Sequence, residues 1–307
     1  MNTVPVFSTP LCSQIEHDPY HPEAPSRVAR LLASLKEEAG PWELQTIDKP
    51  LRNTDAWPPH PPHYWSELAK SIEANESYFH EPDTRIGPST FELLAAAAGT
   101  VSEALKCALT TEQKRVFAAV RPASHHASAD RAMGFCLLNL AAFAAYRARE
   151  RFNLKRIAIL DIDAHHGNGT DSITQDDPSL LFISLHQHPY YPFTGEARGS
   201  LETATKGQNL SIEMPASAGL QSYQHAFVQT ILPAIKAFEA ELLILSTGFD
   251  AHTLDPMSEL SLESEDFGYL TRETRNAIDC PILSLLEGGY YIPALIDSAK
   301  SHLRALA

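Results

Sequence analysis

The acidic and histidine residues whose spacing suits metal chemistry lie in one short segment. Asp161, Asp163 and His165 alternate, and side chains two positions apart on an extended backbone point to the same side. A catalytic zinc takes three carboxylate, imidazole or thiolate ligands and keeps one position for water. Asp163 and His165 could be two of these ligands and Asp250 the third, with Asp161 orienting a histidine from behind. The segment alone could also cap a helix or stabilise a turn.

Two adjacent histidines and one tyrosine could supply the other groups that amide hydrolysis needs. Hydrolysis requires a base for water and an acid for the leaving amine, and the imidazoles of His125 and His126 can serve as both near neutral pH. Tyr290 follows Gly288 and Gly289, which allow a tight turn, and its hydroxyl could stabilise a developing oxyanion. Gly288, Gly289 and Tyr290 could also be a glycine turn beside a packed tyrosine.

Aromatic residues near these groups could form a channel. Gly134 and Phe135 follow the histidine pair, and Tyr191 follows a predicted strand. Phe135 and Tyr191 could be two walls of a narrow channel that suits a long aliphatic lysine side chain, although each could also be a core residue.

Regular elements must bring these residues together. Short apolar runs predict buried strands at 116–120, 157–160, 180–185, 242–246 and 282–286. Apolar residues spaced at three and four predict helices at 25–38, 89–108, 137–152, 222–240 and 293–306. Ser89 and Glu92 have the spacing of a capping box. Strands that alternate with helices predict one α/β domain over residues 1–307, with a mostly parallel sheet covered on both faces.

The chemical residues follow the predicted strands directly. In open α/β sheets, ligands bind beyond the carboxyl ends of the strands. The five apolar runs lead into RPASHHA at 121–127, DIDAHHGNG at 161–169, HQHPYYPFTG at 186–195, TGFDAH at 247–252 and EGGYY at 287–291. This coincidence favours a site at one edge of the sheet over five unrelated turns.

Composition excludes several classes of protein. The net charge of −14 over 307 residues argues against direct binding of nucleic acid, and an acidic surface can attract cationic substrates. The cysteines form no CxxC pair, which argues against a disulfide framework and favours the cytoplasm; they are Cys12, Cys107, Cys136 and Cys280. The N-terminus shows no signal peptide, and the apolar runs predict no membrane span. Five prolines at 49–62 predict a rigid loop.

The motifs resemble those of the histone deacetylase and acetylpolyamine amidohydrolase superfamily, which has an arginase-like fold. RPASHHA, GFC, DIDAHHGNGT, GFDAH with DPM, and EGGY occur in the family's order between residues 21 and 291. EGGY, GFDAH and Asn168 resemble the class II branch and its bacterial relatives. The resemblance implies a zinc-dependent deacylase that acts on acyl-lysine in peptides or proteins.

The resemblance also implies a role for each matching position. Asp163, His165 and Asp250 match the ligands of one zinc ion, and Tyr290 matches the oxyanion donor. Asp161 matches the partner of His125, which would give electrostatic support. Asn168 matches the partner of His126, where class I members have an aspartate. His126 is therefore expected to act as base and then as acid.

The resemblance further implies a second ion and a substrate channel. A structural potassium ion would be held by carbonyls of Asp161, Asp163, His165 and Leu185, with the Ser184 side chain. Asp83 resembles a rim aspartate that grips the substrate backbone. Gly134, Phe135, Tyr191 and Met257 would complete the channel.

The sequence departs from the family pattern at a few positions. Ala123 and Ser124 stand where many members have Pro-Gly. Met257 stands where polyamine-specific members have a glutamate, which disfavours a polyamine substrate. Gly167 and His252 stand where the arginase branch has ligands of a second metal.

Three functions therefore stay open at this point: a lysine deacylase, an amidohydrolase of acetylated polyamines or other small amides, and a non-enzymatic binding module. The intact histidine pair and tyrosine argue against the last. A homo-oligomer is compatible with all three.

Overall fold

The centre of the protein is a parallel sheet of eight strands, seen in a computed structural model that describes residues 3–14, 18, 20–53 and 57–307. A separate antiparallel pair is formed by β3 and β4. The strands are β1 (Val4–Ser8), β2 (Trp42–Thr46), β3 (Tyr78–Phe79), β4 (Glu81–Arg85), β5 (Arg115–Ala118), β6 (Ile157–Asp161), β7 (Leu180–Gln187), β8 (Leu210–Met214), β9 (Leu242–Thr247) and β10 (Ile282–Leu286).

Helices cover the sheet on both faces, which confirms the predicted α/β class. They are α1 (Pro10–Gln14), α2 (Ser26–Glu37), α3 (Pro62–Glu73), α4 (Thr90–Thr110), α5 (Leu140–Phe152), α6 (Asn168–Thr174), α7 (Leu201–Ala204), α8 (Leu220–Ala226), α9 (Leu232–Phe238), α10 (Ser264–Ala277) and α11 (Ile292–Leu306). Strands β5, β6, β7, β9 and β10 consist of buried or nearly buried residues, as expected where both faces of a sheet are covered.

The order of the strands explains why the polar clusters meet. The sheet runs β2-β1-β5-β10-β9-β6-β7-β8, and every neighbouring pair is parallel. The five strands predicted from sequence are consecutive neighbours within it, so their carboxyl ends share one edge. Asp161, at the end of β6, lies in register with Ser246 of β9 and Ser184 of β7. The loops that follow β6 and β9 therefore leave the sheet side by side.

Several elements differ from the prediction. The sequence reading missed β1, β2 and β8, and β2 is a partly exposed edge strand with polar residues. The helix predicted at 222–240 is three segments, with a π-helical turn at Phe227–Ile231 between α8 and α9. Pro233 lies in the first turn of α9, and a proline without an N–H group breaks the regular hydrogen-bond ladder. Of the proline-rich segment 49–62, residues 54–56 lie outside the described residues.

The predicted capping box at Ser89 is wrong. Ser89 precedes α4 but its side chain caps nothing, and the hydroxyl of Thr90 instead accepts a 2.8 Å hydrogen bond from the Gly87 amide. The apolar runs predicted no segment long enough to span a membrane. Helix α4 differs from this expectation, because its 21 residues are long and apolar enough to cross a membrane by length and composition. Most of this window is buried against the strands and α5, so the helix is part of the core.

A buried histidine joins three of these elements. His302 of α11 lies between two hydroxyls, with Nδ1 2.7 Å from Thr271 Oγ1 of α10 and Nε2 2.9 Å from Ser284 Oγ of β10. Burial lowers the pKa of His302 to about 3. The neutral imidazole is therefore the form that folding favours.

We expect His302 to contribute a stability that acid removes. Because its pKa is lower in the folded chain, the unfolded chain binds more protons, so the contribution is complete above pH ~6.5 and decreases as the pH falls toward 3. Urea unfolding between pH 4.5 and 7.5 should give a slope of unfolding free energy against pH that is smaller in His302→Gln, by at most about 1.4 kcal/mol per pH unit. Equal slopes in the two proteins would show that folding does not lower the pKa of His302.

Candidate active site

Three buried side chains form a compact group at the shared edge of the sheet. One ligand atom from each of Asp163, His165 and Asp250 lies within 4.8 Å of the other two. The first two residues follow β6, and Asp250 follows β9. Nδ1 of His165 is 3.0 Å from Asp163 Oδ1 and 3.1 Å from Asp250 Oδ2. Among the described residues, this is the one group of at least three His, Cys, Asp or Glu side chains with such geometry.

The chemistry of these donors fits a cation. Nε2 of His165 lies 2.8 Å from the carbonyl of Met257, which can only accept, so Nε2 carries the hydrogen. The lone pair of Nδ1 then faces two carboxylates. Burial and the charge of Asp163 raise the pKa of Asp250 to about 7, because two buried carboxylates repel each other. A divalent cation would neutralise the pair and accept all three lone pairs.

Two glycines allow the carboxylates to approach each other. A Cβ at Gly288 would lie 2.1 Å from Asp250 Oδ2 and 2.6 Å from Asp163 Oδ2, and one at Gly248 would lie 2.1 Å from Asp163 Oδ2. The Gly288 amide also donates a 2.8 Å hydrogen bond to Asp163. Glycine is thus required at position 288 of the EGG segment and at position 248 of the TGF segment, because the carboxylates occupy the space that a Cβ would need.

His125 lies between two carboxylates. Its Nδ1 is 2.9 Å from Asp161 Oδ2, and its Nε2 is 3.7 Å from Asp163 Oδ1. Burial disfavours a charged imidazole, but Asp163 and Asp161 outweigh it and raise the pKa of His125 to about 10. His125 can therefore carry a positive charge at neutral pH.

His126 has a neutral partner instead. Its Nδ1 is 2.7 Å from Asn168 Oδ1, an acceptor, so Nδ1 carries the hydrogen and Nε2 keeps its lone pair. Burial, together with the nearby charge of His125, lowers the pKa of His126 well below its usual value. The centres of the two rings are 4.0 Å apart. The pKa of His125 is raised and that of His126 is lowered, so the two adjacent histidines have opposite protonation tendencies. Such separation of pKa values typically distinguishes a base from an electrostatic partner.

A buried glutamate that the sequence reading did not single out holds the histidine loop. Glu287, directly after β10, accepts hydrogen bonds from the amide and hydroxyl of Ser124, at 2.5 and 2.6 Å, and a longer one from the His125 amide. Burial raises the pKa of Glu287 to about 7. Ser124, which departs from the Pro-Gly pattern of the family, thus adds a hydroxyl donor to the contact with Glu287. Both histidines stay in the site.

Further buried polar residues hold the tyrosine loop and were also missed. The Arg27 guanidinium donates to the carbonyls of Gly289 and Glu287, at 2.7 and 2.5 Å, and stacks 4.9 Å from the centre of the Tyr290 ring. The carboxylate of Asp255 accepts the amide of Tyr290 at 2.6 Å. Arg27 lies within the motif HPEAPSR at 21–27, four residues after Glu23. This pair of opposite charges in an amphipathic segment was the sequence signal that could have indicated a buried role for Arg27.

A cavity of about 420 Å³ leads from the solvent to the histidines. Phe135 and Tyr191 lie in its walls, with the Phe135 ring 5.8 Å from that of Tyr290 and the Tyr191 ring 5.3 Å from that of His126. The lining residues are Asp83, His126, Gly134, Phe135, His165, Pro189, Tyr190, Tyr191, Phe193, Pro256, Met257 and Tyr290. The structure therefore brings the residues that the sequence placed in the channel into one cavity.

The remaining predicted residues lie nearby. Asp83, in β4, accepts hydrogen bonds from the Gly134 amide and the Tyr191 hydroxyl, each at 3.2 Å. Ser184 is buried in β7 with its hydroxyl 2.9 Å from His186 Nδ1, and Leu185 follows it. The potassium site stays a prediction. The α-carbon of Gly167 packs so closely on Asp161 that a Cβ would lie 2.1 Å from its Oδ2.

Comparison with known proteins decides the family. The histone deacetylase domain matches residues 21–306. The chain belongs to the histone deacetylase family. A histone deacetylase-like amidohydrolase from Pseudomonas aeruginosa is 32% identical over 283 residues, which are 89% of this chain and 74% of that protein. Human polyamine deacetylase HDAC10 is 33% identical over 244 residues, 78% of this chain and 35% of that protein.

The fold agrees with this assignment. The crystal structure of the HDA15 HD domain superposes with a TM-score of 0.85 at 29% identity, covering 99% of this chain and 90% of that one. This histone deacetylase family member is thus a hydrolase that acts on amides. The family is zinc-dependent, and the buried Asp163–His165–Asp250 group could bind the metal.

We expect substitutions at the carboxylate pair to weaken metal binding. Gly288→Ala would push a methyl group against Asp250 and Asp163, and loss of such support typically costs about 10- to 100-fold in metal affinity. Asp250→Asn, which removes a charged ligand, should lower the zinc content further. Zinc affinity is measured by competition with a chromophoric chelator. Gly219→Ala is the control, because its Cβ would meet only Ser261, at 3.1 Å or more. Unchanged affinity in Asp250→Asn would place the metal elsewhere.

Proposed function

We propose that this protein is a zinc-dependent deacylase that hydrolyses the acyl-amide of N6-acyl-lysine in peptides or proteins. The observation that supports it most is the cavity: the imidazoles of His126 and His165 and the side chain of Tyr290 share it with apolar walls. An acyl-lysine side chain has a matching order of groups, a polar amide at the end of an aliphatic chain.

The metal would be held by Asp163, His165 and Asp250. When bound, zinc would supply Lewis acidity toward the acyl carbonyl oxygen and the attacking water. Nε2 of His126 accepts the proton of that water, since its lone pair is free and its pKa is low. The same nitrogen then donates the proton to the nitrogen of the leaving lysine amine as the C–N bond breaks.

The other two groups stabilise charge. The Tyr290 hydroxyl donates a hydrogen bond to the oxyanion that develops on the carbonyl oxygen. His125, held as a cation by Asp161 and Asp163, raises the electrostatic potential around His126 and stabilises negative charge in the transition state. Asn168 keeps His126 oriented without adding a charge, so His126 stays neutral until it takes the proton.

The walls favour lysine over a polyamine. Met257, an apolar side chain, lines the cavity where polyamine-specific relatives of the superfamily place a glutamate. The carboxylate of Asp83 is the observation that favours a polyamine, since it lines the cavity and could attract a second amine. Asp83 already accepts three hydrogen bonds from the protein, which lowers its capacity to bind a substrate amine.

Further properties stay predictions from the sequence. They are a structural potassium ion near the zinc, a cytoplasmic location, the absence of direct nucleic-acid and membrane partners, and self-association.

We expect an acetyl-lysine peptide to be the better substrate. The zinc-loaded protein should hydrolyse it with a kcat/KM above that of N8-acetylspermidine, because the apolar Met257 lines the cavity in place of a glutamate. A His126→Ala preparation gives the background rate. If acetylspermidine is preferred by about tenfold or more, the lysine assignment is wrong and the polyamine reading holds. If neither amide is hydrolysed, the deacylase proposal itself is wrong.

Tyr290→Phe should lower kcat by about 10²–10³ with a small effect on KM, as expected for loss of one oxyanion donor. The phenyl ring keeps the packing on Phe135 and Arg27. Tyr291→Phe is the matched control, because Tyr291 is the adjacent, more exposed tyrosine and does not line the cavity. An unchanged kcat in Tyr290→Phe would remove this hydroxyl from the mechanism.

A further inference from the structure

The mouth of the cavity carries a set of apolar side chains that the proposed chemistry does not use. Pro189, Tyr190 and Phe193 come from the loop after β7, and Pro256 and Met257 come from the loop after β9. We call these five residues the apolar collar. Phe193 stands out because 76% of its surface is exposed, while it lines the same cavity as His126 and Tyr290.

The backbone of Phe193 adopts a conformation that suits glycine. Its φ is +63°, in the left-handed region where a side chain with a Cβ is disfavoured, and its amide closes a turn by donating a 2.7 Å hydrogen bond to the Tyr190 carbonyl. The ring contributes little to packing, since it is mostly exposed and its centre is 6.4 Å from that of Tyr191. Folding alone therefore gives no reason for an aromatic residue here, and the surface it presents supplies one.

The charge at the mouth points to an apolar ligand as well. Asp83 is the one acidic residue among those that line the cavity mouth, and one of its carboxylate oxygens accepts from the Gly134 amide and the Thr84 hydroxyl. The other oxygen accepts from the Tyr191 hydroxyl. A cationic group would compete with these three donors for the carboxylate, whereas an apolar group meets the collar without such competition.

We infer that the apolar collar binds an apolar side chain of the peptide, within two positions of the acyl-lysine. This inference rests on the proposed function, which places the lysine side chain inside the cavity and its backbone at the mouth. Neighbouring α-carbons are 3.8 Å apart and side chains of an extended peptide alternate, so a flanking side chain lies beside the mouth. Phe193 is then a residue that determines specificity, not a catalytic residue.

Two acetyl-lysine peptides that differ only in the flanking residues, leucine or glycine, test this inference. Burial of one leucine side chain typically changes kcat/KM by about tenfold or more, so we expect the wild-type protein to prefer the leucine peptide by about that factor, through a lower KM. Phe193→Gly should reduce the preference to about threefold or less. Phe193→Leu should keep most of it, because an apolar group remains.

Two controls separate specificity from folding. Val228→Ala removes another exposed apolar side chain, on the π-helical turn and outside the cavity lining, and should keep the wild-type preference. The Tm of Phe193→Gly should equal or exceed that of the wild type, because glycine relieves the positive φ.

Each result has one meaning. Equal kcat/KM for the two peptides in the wild-type protein, or an undiminished preference in Phe193→Gly, would overturn the role of the collar and leave the deacylase proposal standing. A lower Tm in both Phe193→Gly and Phe193→Leu would show that the ring serves folding and would overturn its assignment to specificity. Hydrolysis of neither peptide would overturn the deacylase proposal and the collar together.

Discussion

The structure depends on two buried carboxylates that face one imidazole. Asp163 and Asp250 repel each other at this distance, and burial increases the free-energy cost of their charges. Backbone amides reduce that cost: Gly288 donates to Asp163, and Ala164 donates to Asp250 at 2.9 Å. A bound cation would balance the remaining negative charge, and the imidazole of His165 supplies a third ligand atom beside the two carboxylates. The glycines around the pair are there because the carboxylates leave no room for a Cβ.

The parallel sheet makes this convergence possible. Each carboxylate leaves a different strand, and only strand neighbours whose carboxyl ends face the same way can deliver both to one point. The order β5-β10-β9-β6-β7 brings the histidine pair, the tyrosine loop, both carboxylate loops and the aromatic wall to one edge. Buried polar residues then connect these loops laterally: Glu287 holds the histidine loop, and Arg27 and Asp255 hold the tyrosine loop. These contacts fix the positions of the loops relative to one another.

Within this frame, small differences in environment separate the roles of similar residues. His125 and His126 are adjacent, yet one faces two carboxylates and the other faces an amide. Their protonation tendencies diverge for that reason, and the divergence lets one act as a base while the other carries charge. At the opposite end of the cavity, one strained aromatic residue changes the surface that a substrate meets first.

Much of the site could be predicted from the sequence, because its ligands follow strands directly and strand ends are readable as apolar runs that stop at polar residues. The DxDxH spacing, the histidine pair and the glycine turn before Tyr290 determined the type of chemistry, and the motif order determined the family. Local patterns could not show the edge strands β2 and β8, whose partly polar residues become strands by pairing with a neighbour. They also missed β1, a buried run of five residues that contains a proline. They also misplaced the cap at Ser89, because the hydroxyl of the next residue satisfies the turn instead.

Only the tertiary structure decided which distant residues meet. Glu287 with Ser124, Arg27 with the tyrosine loop, and Tyr191 with Asp83 are contacts between residues more than a hundred positions apart. No periodicity or spacing encodes them, since they depend on the order of strands in the sheet. The protonation states depend on the same contacts, because the pKa of a buried group is set by what packs around it. The sequence by itself therefore determined which chemical groups this protein has, and the fold determined which charges and surfaces each of them faces.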